Sequence, residues 1–160
     1  MTSSSSNPKT TDDLLICTAC GTQFPTADRA SLTTCFICDD PRQYTPGAGQ
    51  SFTTLAAVRA AHANEFHPVP DDSRLISIVT TPKLAIGQRA VLLRTPAGNI
   101  LWDCLTLLDD ATVAEVKRLG GLHGIVVSHP HGTCYLYMSI SLVPYPGDVI
   151  KSSSKLPANI

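Results

Sequence analysis

The chain starts with a polar Ser/Thr run and shows no apolar periodicity before Leu14, so residues 1–13 are expected to form a disordered tail. Between Gln50 and Phe66, the positions Leu55, Val58, Ala61, His62 and Phe66 fall near one face. That spacing predicts a helix with Ser51 as its N-cap. Pro68 to Ser73 reads as a linker or turn. Short apolar runs follow: Leu75–Val79, Ala90–Thr95 and Asn99–Cys104 are predicted strands. Thr95-Pro-Ala-Gly-Asn99 supplies a hairpin turn between the last two. Val113, Val116 and Leu119 then repeat at helical spacing, behind Asp109 or Asp110 as a cap and ahead of Gly120-Gly121 as a stop. Gly124–Ser128 reads as a short buried strand that turns at His129-Pro130-His131. Hairpin, crossover helix and strand in that order suggest an α/β or α+β sheet layer. The histidines would lie just past a strand's carboxyl end, a common place for chemistry.

Composition narrows the classes. At 160 residues and 43% hydrophobic, the chain can hold one domain with a sizeable core, or a small module beside a modest domain. Twelve Lys and Arg against thirteen Asp and Glu argue against nucleic-acid binding by bulk electrostatics and against a polybasic membrane anchor. Tyr135–Pro146, the longest nearly apolar stretch, is too short and too interrupted to cross a bilayer. The N-terminus lacks the apolar centre of a secretory signal. A reducing, cytoplasmic setting is therefore expected, with the nucleus also open. There, six cysteines serve as metal ligands or thiols more readily than as disulfides.

Four of the cysteines have metal-ligand spacing. Cys17-Thr-Ala-Cys20 and Cys35-Phe-Ile-Cys38 are separated by fourteen residues. Two such pairs can bend into knuckles that turn four thiolates onto one tetrahedral ion. Gly21 suits the tight turn that faces backbone N–H groups toward the sulfurs. Residues 14–45 thus read as a zinc-ribbon-like module whose metal supplies most of its stability. Redox use of the pairs and a rubredoxin-like iron site are the competing readings. Four thiolates leave no open position, so the expected role is a scaffold. A docking role has little support from charge, because the module's basic residues are Arg29 and Arg42.

The second constellation is Gly124-Ile-Val-Val-Ser-His129-Pro-His131. Two imidazoles one residue apart can reach one ion, with Pro130 stiffening the loop between them. Together with Ala90-Val-Leu-Leu-Arg-Thr-Pro-Ala-Gly-Asn-Ile-Leu-Trp-Asp103, this stretch resembles the start of the metallo-β-lactamase superfamily, from about Leu75 to His131. The resemblance implies an αββα sandwich in which zinc or iron activates water against an ester, amide, thioester or phosphodiester. His129 and His131 would be metal ligands, and Asp103 a structural residue beside the metal cleft. Where the family continues with Asp and His, this chain has Thr133 and Cys134, and Cys134 is a weak ligand candidate. No histidine follows His131, and Asp148 is the only later carboxylate side chain.

The expected fold class is therefore α+β: a small zinc ribbon (14–45), a helix and linker (46–73), and an incomplete αββα half (74–131). An atypical tail (132–160) follows, apolar without a clear amphipathic pattern and then polar. The expected function is metal-dependent hydrolysis of a small-molecule substrate, weak or absent in this chain because its second site is incomplete. The alternatives are a non-enzymatic zinc-ribbon binding module and a fragment without function of its own. Among the remaining residues, Cys104 and Trp102 are expected in the core, His62 half-buried and His67 solvated. His123 is expected to be a helix C-terminal neighbour, and Asp103 by itself a helix-entry or turn residue.

Overall fold

Buried Ile76 and Ile78 alternate with the less buried Leu75, Ser77 and Val79, as a strand with one covered face requires. This strand lies in a computed structural model that describes residues 11–41, 45–47 and 49–128. After a single 3-10 turn at Thr11–Asp13 come β1 (Leu15–Cys17), β2 (Phe52–Thr54), α1 (Leu55–Ala61), β3 (Ala63–Val69) and β4 (Asp72–Thr81). They are followed by β5 (Arg89–Leu93), β6 (Ile100–Trp102), α2 (Asp110–Arg118) and β7 (Gly124–Val126). The architecture is mixed α+β. Strands β1 and β2 pair antiparallel; the larger sheet runs β3-β4-β5-β6-β7. Its pairings are antiparallel until β6 and β7, which are parallel. The expected hairpin, crossover helix and strand are thus present in that order.

One face of the sheet carries Ile76, Ile78, Ala90, Leu92, Leu101 and Ile125, packed with Val116 of α2 and with Cys104, Leu105 and Leu122. Helix α2 is held at both ends. Asp109 Oδ1 accepts from the amide of Thr112 at 2.8 Å and from its hydroxyl at 2.5 Å. At the far end, Gly121 N–H bonds Val116 O and Gly120 N–H bonds Lys117 O, at positive φ on both glycines. The buried Asn99 adds its side-chain amide, donating to the carbonyls of Leu119 (3.0 Å) and Gly121 (2.9 Å).

Several expectations need correction. The helix predicted over Gln50–Phe66 is one short helix, Leu55–Ala61, flanked by two strands, and its N-cap is Thr54, not Ser51. Apolar spacing could not separate the helix from β3, because Phe66 sits at the right interval for both. What decides is pairing: Phe66 lies opposite Ile78, and the ladder continues to Pro68 opposite Ile76. Pro68 is accordingly in an edge strand, and the expected linker is the β3–β4 hairpin. Trp102 is not a core residue: it is 49% exposed, because Leu101 takes the inward position of β6 and Trp102 must point to the opposite face. Thr11–Asp13 are ordered, and Asp12 pairs with Arg59 at 2.5 Å. Residues 1–10 and 129–160 lie outside the described residues.

Candidate metal centre

Strand β1 delivers Cys17 to a knuckle. Gly21 N–H bonds Cys17 O at 2.8 Å, and Gly21 adopts φ +80, which an L side chain rarely takes. The second knuckle closes with the amides of Cys38 and Asp39 both bonded to Cys35 O at 3.0 Å. Gln50, just before β2, anchors it: Gln50 Oε1 accepts from Cys35 N–H at 2.7 Å.

The two turns bring the predicted set of four together. Cys17, Cys20, Cys35 and Cys38 are all buried, and their sulfurs lie within 4.8 Å of one another. Cys17 to Cys38 is 3.9 Å and Cys20 to Cys35 is 3.7 Å. A regular tetrahedron with metal–sulfur bonds of about 2.3 Å has sulfur–sulfur edges of about 3.8 Å. The spacing therefore fits a tetrahedral metal ion such as zinc, and is far longer than a disulfide bond of about 2.05 Å. Among the described residues this is the one cluster of three or more metal-ligating side chains.

The surroundings suit thiolates once a cation is bound. Backbone N–H groups of Cys20 and Ala19 point at the Cys17 sulfur, as the knuckle reading expected. Thr22, fully buried, places its hydroxyl 3.2 Å from the Cys20 sulfur. Without a cation the Cys17 and Cys38 thiols hold their protons. The hydrogen bond with the Cys20 side chain and then burial raise the Cys17 pKa, and burial pushes Cys38 up to about 12. Metal binding must displace those protons, so affinity weakens as pH falls. Around the sulfurs, Phe24 packs edge-to-face on Phe36 and Phe52, and the Arg29 guanidinium lies 4.5 Å over the Phe52 ring. Arg29 also donates to the Leu32 carbonyl, so it is engaged inside the module.

The centre is fastened to the sheet. Ile16 packs with Leu55, Val58, Leu84 and Leu107. Gln88 Nε2 donates to Cys20 O at 2.5 Å, and Thr106 Oγ1 donates to Gln88 Oε1 at 2.8 Å. Gln88 and Thr106 carry no sequence signal for this role, since their partners are reached only through the fold.

The second predicted site is described up to its threshold. Asp103 follows β6 directly, at φ +64, and its N–H bonds Val126 O at 2.7 Å. Its Oδ1 accepts from the amide (2.8 Å) and the hydroxyl (2.6 Å) of Ser128. Asp103 thus clasps the carboxyl ends of two parallel strands. His129, His131 and Cys134 lie outside the described residues. Of the other histidines, His62 caps α1 and bonds Pro82 O through Nδ1 at 2.8 Å, while exposed His67 meets Glu65 at 3.0 Å. His123 is exposed, with its N–H on Asn99 O. None of the three joins a ligand cluster.

None of the described helices is long and apolar enough to cross a membrane. No family model matches the chain, and no solved structure matches it. The chain is similar to a curated relative from Bacillus subtilis (strain 168), the "Uncharacterized protein YmaE". The two are 41% identical over 117 residues, which cover 72% of this chain and 42% of that protein. The chain therefore spans about two fifths of the length of the curated relative it matches.

Proposed function

We propose that the four cysteines hold a structural zinc ion in a ribbon-like module, and that the sheet beside it is the opening half of a metallo-β-lactamase-like hydrolase. The thiolate spacing supports the first part. A single observation carries the second: Asp103 grips Ser128, the residue immediately before His129-Pro130-His131, at the adjoining carboxyl ends of parallel β6 and β7. That edge is where an open sheet can present ligands without competing for its own ladder hydrogen bonds.

In this reading His129 and His131 would hold a zinc or iron ion. When bound, such an ion lowers the pKa of its water to near neutrality and polarises a carbonyl or phosphoryl group. The chain's own contribution is positional. Asp103 holds Ser128, just ahead of the histidines, and Pro130 would stiffen the stretch between the two imidazoles. Two imidazoles leave the ion mainly to water, so turnover by this chain is slow or nil. The substrate is a small ester, amide, thioester or phosphodiester.

Metal counting on purified protein tests both parts. Cys17→Ser should release one zinc. His129→Ala should release a second, separate ion, together with any hydrolysis of p-nitrophenyl acetate or bis(p-nitrophenyl) phosphate. A metal content unchanged by His129→Ala, with no hydrolysis by the parent chain, refutes the hydrolase reading and leaves the cysteine centre standing.

A further inference from the structure

We propose that the four-cysteine centre positions the carboxyl edge of β6 and β7 through Gln88 and Thr106. This coupling rests on the metal-centre part of the reading above and does not need hydrolysis.

The contacts form an unbroken route. Cys20 offers its carbonyl to the Gln88 side-chain amide, whose oxygen accepts the hydroxyl of buried Thr106. Gly21 makes the approach possible: a Cβ there would fall on Thr106 Oγ1 and on both polar atoms of the Gln88 amide. Thr106 follows Asp103 by three positions, and the intervening Cys104 and Leu105 are buried in the main core. A short segment pinned in this way cannot slide without repacking that core.

At its other end stands Asp103 at φ +64, a left-handed conformation uncommon outside glycine that Asp and Asn adopt more readily than most residues. Two supports are visible. One is β7, through Val126 O and Ser128. The other is the anchored Thr106. The anchor is as firm as Cys20, and the sulfurs make up much of the cluster around Cys20: Cys17, Cys20, Cys35 and Cys38 with Ala19 and Phe24. A metal ion would bond those sulfurs to one another; without it they are held only by packing within the cluster. Gln88 and Thr106 are accordingly positioning residues for the Asp103–Ser128 clasp.

Site-resolved amide exchange on the full zinc-loaded chain tests this, with the Ser128 amide as reporter and the β4–β5 ladder amides as internal reference. Stripping the metal with EDTA under reducing conditions should speed Ser128 exchange by about tenfold or more, while the ladder stays within about twofold. Gln88→Ala should move Ser128 in the same direction by less, with its metal retained. An unchanged Ser128 rate after stripping overturns the coupling. So does equal acceleration of the ladder, which would make the metal a staple of the whole fold with no route to this edge. If Gln88→Ala fails to fold, the stripping experiment on the parent chain still decides. A metal-dependent Ser128 amide in a chain whose metal content is unchanged by His129→Ala and which shows no hydrolysis sustains the coupling and counts against the hydrolase reading alone.

Discussion

Asp103 Oδ1 receives both the amide and the hydroxyl of Ser128, at 2.8 and 2.6 Å, across the ends of β6 and β7. One carboxylate oxygen therefore closes the gap where two parallel strands stop pairing. Asp103→Ala removes the acceptor and leaves an alanine at positive φ. It should destabilise the fold by about 1–3 kcal/mol, read as a lower urea midpoint. Asp103→Asn keeps one acceptor oxygen and tolerates the left-handed region, so it should cost less than half as much. Equal losses in the two variants would mean that the acceptor is not what matters.

Gly21 stands where the cysteine knuckle meets the sheet. Gly21→Ala combines a disfavoured φ of +80 with a methyl group aimed at Thr106 Oγ1 and Gln88. The expected loss is about 1–3 kcal/mol, above the roughly 1 kcal/mol that a change of backbone propensity alone would bring. Pairing it with Gln88→Ala in a double-mutant cycle separates the two causes. If the collision contributes, the double variant loses less than the sum of the singles.

If the four cysteines hold a zinc ion as proposed, removing one thiolate would leave three protein ligands and an open position. Cys35→Ser should weaken zinc affinity by more than the roughly 10–100-fold that loss of an outer hydrogen-bonding partner costs. Competition with a chromophoric chelator measures this. Thr22→Val tests the outer partner itself. Its hydroxyl lies 3.2 Å from the Cys20 sulfur, so this variant should fall within the smaller range. Comparable losses in the two would argue against four-thiolate coordination.

Local chemistry in the sequence is what proved legible. The two Cys-x-x-Cys pairs named their own cluster, because ligand spacing is a property of two tight turns and needs no distant partner. Helix α2 was readable at both ends, since Asp109 and Gly120-Gly121 act within a few residues of themselves. The β5–β6 hairpin and the position of β7 followed from the same kind of signal. Residues whose role is set by a partner far along the chain were not legible. Phe66 belongs to a strand because Ile78 lies opposite it. Trp102 turns outward because Leu101 claims the core. Gln88 reaches Cys20 across 68 positions, and nothing near either residue announces it.

The β3–β4 hairpin carries a pH signature of its own. Arg74 donates to Asp72 from Nε to Oδ1 at 3.0 Å, from Nη2 to Oδ2 at 2.7 Å and from its backbone amide to Oδ1 at 2.9 Å. These bonds, led by those of the guanidinium, bring the Asp72 carboxyl down to about 2, against about 3.9 for an unstructured aspartate. A carboxylate depressed by folding stabilises the fold above its unfolded value and loses that contribution as pH drops through its folded value. The pair's contribution should therefore be whole above pH 4 and fade between roughly 4 and 2. Arg74 is exposed and Asp72 partly so, hence the effect is small and should shrink as salt rises. Arg74→Ala removes the guanidinium and keeps the amide. The Asp72 carboxyl ¹³C titration should then move up toward 3.9 without fully reaching it, and stability should depend less on pH across that window. A midpoint unchanged by Arg74→Ala would assign the depression to the backbone amide alone.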